Sequence, residues 1–203
     1  VIKPDGSVVE ATKAIIIKNP DGSTNILTTA YLKIIPQKKM KFDLIIEKPL
    51  TKLTDFKFEL YDKDSLTEAL SIIEDAIYQT HKIKFYFNSL GEVWNVTVFG
   101  DLSVFLEQLD DILKVTKGVK KQHILDFYEV GTNRKLLLIH DKKIVEIKNI
   151  STTGWKPSIT AETQDDLNNQ ILFFVKKLKG IVEIICPEVN QIAIIKKWYN
   201  LFQ

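Results

Sequence analysis

The chain has 203 residues, 45% hydrophobic and 27% charged, with a formal net charge of +2. That is an ordinary globular balance, enough for one full core and a small second unit, and no apolar run reaches the roughly 18 residues of a membrane span. Residues 1–39 hold six lysines against three acids, +3, which leaves −1 for residues 40–203; the longer segment lacks the basic excess of a nucleic-acid-binding domain.

No basic-then-apolar signal segment opens the chain. The single cysteine, Cys186, has no internal partner, so a reducing, cytoplasmic location is expected. Its apolar setting, "IVEIICPEV", suits a buried inert thiol.

Residues 1–39 read as β structure. "IKPDGSVV" and "IKNPDGSTN" both carry Pro-Asp-Gly, a turn signal, and "ATKAIII" and "NILTTAYLKII" are β-branched runs. A hairpin or three-stranded meander is expected, too small to bury a core alone. Met40, the only methionine, then opens a new pattern. "KFDLIIEK" and "FKFELY" read as strands by alternation. "DSLTEALSIIEDAIYQTHK" is a helix capped by Asp64 or Ser65, with Leu66, Ala69, Leu70, Ile73, Ala76 and Ile77 on its apolar face. A hairpin follows around Ser89-Leu90-Gly91.

"DLSVFLEQLDDILKV" is a second helix, capped by Asp101 or Ser103. Residues 123–150 give three short strands, with turns at Gly-Thr-Asn and His-Asp-Lys. The loop "STTGWKPS" leads to a third helix over 164–178 capped by Thr163, and the tail "NQIAIIKKWYNLFQ" is expected to be helical. The predicted class is α+β: a β fragment over 1–39, then one domain over 40–203 with three to four helices on a mainly antiparallel sheet.

"NPDGSTNILTTAYLK" resembles the last hairpin of the EndoU-type ribonucleases and of related bacterial RNase toxins. There a glycine-containing turn precedes a final strand with a threonine or serine, one residue, and a tyrosine. The resemblance covers 15–20 residues and maps onto Thr29, Ala30 and Tyr31; the family's usual proline after the tyrosine is Leu32 here. It implies that Tyr31 stacks on or orients the nucleotide and that Thr29 contacts the base. The family's two histidines and lysine supply the acid, the base and the charge stabilisation that metal-free RNA cleavage requires. No histidine precedes Tyr31; His81, His123 and His140 all follow Met40. The chain alone is therefore expected not to cleave RNA.

In contact-dependent growth inhibition and other polymorphic toxin loci, the gene for a toxin's nuclease domain is followed by that of its immunity protein. Val1 is not a methionine, and Met40 stands before a self-contained pattern. Residues 40–203 thus resemble a cognate immunity protein, with 1–39 a toxin remnant. Fusion, degradation of the toxin and the joining of two polypeptides all give this order. The resemblance implies one partner, the nuclease toxin domain, with RNA reached only through it, no membrane partner and no cofactor. A single intact α+β interaction domain, and a fragment of an RNA endonuclease using Tyr31 with His123 or His140, are the competing readings.

Residues 40–203 show no glycine-rich phosphate loop and no Cys/His cluster. Trp94 is expected in the core. Trp155, in "TTGWKP", is the candidate interface anchor, since tryptophan is enriched in hot spots. A basic RNase site calls for carboxylates on its inhibitor, and Glu107, Asp110 and Asp111 on the second helix are the chosen candidates. Glu68, Glu74, Asp75, Asp165 and Asp166 are further acids on helix faces.

Overall fold

The computed structural model describes residues 39–128, 134–151 and 159–203, and before them the backbone of four short strands. The chain divides into two units, Val1–Lys38 and Lys39–Gln203. In the first, β2 (Ile16–Lys18) and β3 (Thr24–Ile26) pair antiparallel, as do β1 (Val9–Glu10) and β4 (Lys33–Ile34). The β2–β3 pair is the hairpin expected in this segment, and the β1–β4 pair encloses it in sequence.

The second unit is an α+β fold, with four helices and two antiparallel sheets among the described residues. The three-stranded sheet runs β5 (Lys41–Ile46), β6 (Ile83–Ser89), β7 (Glu92–Val93). The four-stranded sheet runs β11 (Ile159–Thr163), β10 (Ile144–Asn149), β9 (Arg134–Asp141), β8 (Gln122–Phe127). The turn between β6 and β7 falls at Leu90 and Gly91, with φ of 56° and 81°. Both are positive, the signature of the tight hairpin turn whose twist matches its strands.

Helix α1 (Leu66–Thr80) starts where expected: Ser65 accepts the Glu68 N–H at 3.2 Å. Five of its six expected apolar positions are buried, and Leu66 is half-buried. Helix α3 (Gln164–Ile185) is capped by Thr163 as expected, the hydroxyl accepting the Asp166 N–H at 3.1 Å, but it runs seven residues longer than its pattern predicts. The tail forms α4 (Ala193–Tyr199) between two short 3-10 turns.

Three expectations need correction. "FKFELY" is not a strand. Phe56, Phe58 and Leu60 are half-buried and their neighbours exposed, so the alternation is real, but the segment packs on the core and pairs with no strand among the described residues. Residues 159–163, expected as part of the approach to the third helix, form β11 against β10. Helix α2 (Asp101–Thr116) is capped by neither Asp101 nor Ser103; its N-cap is Gly100, at φ 89°, with no side-chain bond of its own.

One aromatic cluster ties the layers together. Phe42 (β5), Phe85 and Phe87 (β6), Phe105 (α2), Phe127 (β8) and Phe174 (α3) interlock at centroid separations of 4.8–6.5 Å, with Trp94 between Phe87 and Phe127. Such edge-to-face packing adds to plain burial. Trp94 is therefore core, as expected. Trp198 and Tyr199 are also buried, the former edge-on against Phe202.

Candidate functional site: a cleft beside strand β5

Strand β5 is the outer strand of its sheet, so half of its backbone groups face away from β6. A bare edge invites pairing with other chains. Here α3 covers it. Gln170, its amide oriented to satisfy both neighbours, donates to the Met40 carbonyl at 2.9 Å and accepts from the Phe42 N–H at 2.8 Å. Asp43 accepts the next N–H, that of Leu44, at 2.8 Å and also pairs with Lys177 at 2.7 Å.

Next to this covered edge lies an open cleft of about 530 Å³. Its floor includes Glu162 of β11, only 1% exposed. One Glu162 oxygen accepts the Met40 backbone N–H. No hydrogen bond reaches the other among the described residues. Lys39 and Asp166 stand at the same end, paired with each other at 2.8 Å. Burial raises the Glu162 carboxyl to about 7; the Met40 N–H and Lys39 oppose that rise, and Asp166 adds to it. Phe173 of α3 and Ile45 of β5 line the mouth and are 64% and 42% exposed. A buried carboxyl with a strongly shifted pKa, in a cleft with an apolar mouth, is the arrangement by which functional sites are recognised.

The signal for this site was faint in the sequence. Glu162 reads as a polar residue before a helix. Its burial follows from β11, which the sequence reading missed.

The expected interface carboxylates sit elsewhere, on α2. Glu107, Asp110 and Asp111 are half-buried. Asp110 pairs with Lys114 at 2.5 Å, and Asp111 with Lys120 at 2.9 Å. Burial works against ionisation of Asp111, yet the hydrogen bond and charge of Lys120, with His123 and Lys114, hold its carboxyl below the usual range. His123 lies 3.6 Å from Asp111, and burial pushes its imidazole below its ordinary pKa. Two of the three acids thus already have internal cations. Trp155, Thr29 and Tyr31 lie outside the described residues.

Elsewhere, Cys186 is buried and its thiol is pushed up, by burial first. No three His, Cys, Asp or Glu side chains come together as metal ligands among the described residues. No described helix is long and apolar enough to cross a membrane. Comparison with protein-family models, with curated proteins and with solved structures finds no match to this chain.

Proposed function

We propose that residues 40–203 form a toxin-neutralising immunity domain that binds and blocks a bacterial nuclease toxin in the cytoplasm, and that residues 1–39 derive from the last strands of such a toxin. The observation that carries this reading is the division of the chain between Lys38 and Lys39, one residue ahead of Met40, into a small β unit and a second unit with its own aromatic core. The toxin-like tail sequence around Thr29 and Tyr31 supports it from the other side. On this reading the chain itself leaves RNA uncut. Its partner is a protein with a basic surface, and the exposed Phe173 and Ile45 beside the β5 cleft supply apolar contact area that the α2 acids lack.

The test is co-expression of residues 40–203 with the complete nuclease domain encoded immediately upstream in the source genome. Cells survive if the reading is right, and the two proteins purify together. Survival lost on replacing Phe173 by Asp would place contact at the cleft. Survival lost instead with Trp155→Ala and charge reversal at Asp110 and Asp111 would place it on the surface chosen from sequence. If the unaltered segment neither protects nor binds, the immunity reading fails.

A further inference from the structure

A second cavity, of about 300 Å³, lies between the later part of α3 and the chain's last helix. Lys179 and Glu183 of α3, Asn190, and Lys196 and Tyr199 of α4 line it. Asn190 and Tyr199 are each 4% exposed. The Asn190 amide is fixed through its nitrogen, which donates to the Lys179 carbonyl at 3.2 Å and to Glu183 Oε2 at 2.9 Å. Asn190 Oδ1 is left buried with no hydrogen-bond partner among the described residues, and so is the Tyr199 hydroxyl. Buried polar groups are nearly always partnered, because a bare one forfeits its hydration for nothing. Two of them beside one cavity point to an occupant.

The chemistry of that occupant follows from what is unmet. Asn190 Oδ1 accepts only, so it calls for a donor. Burial first, and Glu183 second, push the Tyr199 phenol above its ordinary range, so its O–H stays a donor and calls for an acceptor. Two lysines line the cavity against one glutamate, which leaves one positive charge over. Neither Lys179 nor Lys196 has a carboxylate within 4.0 Å among the described residues. Lys179 sits instead over the Tyr199 ring, 5.4 Å from its centre. Both lysines are exposed, and their flexible stems let the ammonium groups follow an anion inward.

We propose that this cavity binds a small hydroxycarboxylate, a monoanion whose carboxylate takes the Tyr199 O–H and the two ammonium groups and whose own hydroxyl donates to Asn190 Oδ1. Ligand pockets span roughly 300–1,000 Å³, and this one is at the low end, which limits the ligand to a few carbons. Water alone would offer donors and acceptors but leave the surplus charge unmatched. A plain carboxylate would match the charge and bring no donor for Asn190. The site does not depend on the immunity reading.

The test is an NMR titration of the full 203-residue chain with lactate, which needs no toxin. The expected result is saturable movement of the Asn190 side-chain amide signals. Propionate lacks the hydroxyl and lactamide lacks the charge, so each should bind about tenfold more weakly or not at all. Tyr199→Phe keeps the ring and should weaken lactate binding by about tenfold. Lys196→Gln, a change at an exposed residue, should weaken it less, and least at high salt. Without any ligand, Tyr199→Phe should raise the urea midpoint, since it removes a buried hydroxyl that has no partner. Shifts that never saturate, propionate and lactamide binding as well as lactate, or lactate affinity unchanged in both variants would overturn the site. A lowered urea midpoint for Tyr199→Phe would also overturn it, because water would then already be satisfying the hydroxyl. All of these outcomes are read without the toxin and leave the immunity reading where it stands.

Discussion

Glu74 of α1 accepts the backbone N–H of Gly100 at 2.8 Å and of Ser103 at 2.7 Å, so the first turn of α2 is capped by a residue of another helix. Gly100 has no side chain to do it, and Asp101 turns away to accept the Thr97 N–H at 2.8 Å. The negative charge also faces the positive end of the α2 dipole. Glu74 is buried. Glu74→Ala leaves the buried Ser103 donor and the half-buried Gly100 donor without partners and should cost about 2–4 kcal/mol, while Glu74→Gln keeps one acceptor and should cost roughly half as much. Urea unfolding monitored by circular dichroism measures both. Equal losses would mean that α2 is held by packing alone.

Two glutamines play the same structural part at two strand edges. Gln170 closes β5, and Gln108 of α2 closes β8, accepting the Asp126 N–H at 2.9 Å and donating to its carbonyl at 3.0 Å. Each amide presents a donor and an acceptor side by side, as a neighbouring strand would. Gln170→Leu should therefore speed amide hydrogen exchange at Phe42 by tenfold or more and cost about 1–3 kcal/mol. Exchange at Phe42 that stays as slow as in the parent chain would show that burial, not the glutamine, protects that edge.

Much of this fold was legible because local signals sufficed. The Ser65 and Thr163 caps lie within four residues of the groups they satisfy. The Leu90-Gly91 turn needs only its own backbone. What escaped depends on contacts distant in sequence. The α2 cap is 26 to 29 residues away on α1. "FKFELY" has a strand's alternation and no partner strand, a fact no local pattern carries. β11 is five residues with one exposed isoleucine, and its identity comes from β10. The Glu162 cleft inherits that blindness: its floor is β11, its wall β5 and α3, and 122 residues separate Glu162 from the Met40 N–H it accepts. For the α2 acids the face was legible, but not that Lys114 and Lys120 would already pair with two of them.

Gly118 ends α2 at φ +71° with the His140 ring against it; a Cβ there would sit 2.8 Å from His140 Cε1. The ring cannot swing away freely, because Nδ1 lies 3.0 Å from the Val115 carbonyl and 3.0 Å from the Gln164 side-chain amide nitrogen. Gly118→Ala should cost about 2–3 kcal/mol, from left-handed backbone strain plus the contact. In a His140→Ala background the contact is gone and only the backbone cost of about 1 kcal/mol should remain. A double-mutant cycle by thermal or urea unfolding reads the difference. No coupling between the two sites would assign the whole effect to the backbone.

Glu162 contributes a pH dependence to stability. Its folded pKa, about 7, lies above the ordinary glutamate value of 4.5, with burial as the main cause. The folded state then holds a proton that the unfolded chain releases, so the contribution to stability is full below about 4.5. It falls as pH rises through the folded value and is gone above it. At 1.36 kcal/mol per pKa unit, the ionised carboxylate costs the fold roughly 3 kcal/mol at pH 8 relative to pH 4.5. Glu162→Gln removes the ionisation and keeps an acceptor for the Met40 N–H. The variant should be more stable than the parent at pH 8 and close to it at pH 5, giving a difference curve that rises between these limits. Unfolding by urea at half-unit steps of pH measures it. The reverse slope, with the variant losing ground as pH rises, would mean that the ionised Glu162 is stabilised inside the protein rather than penalised by burial.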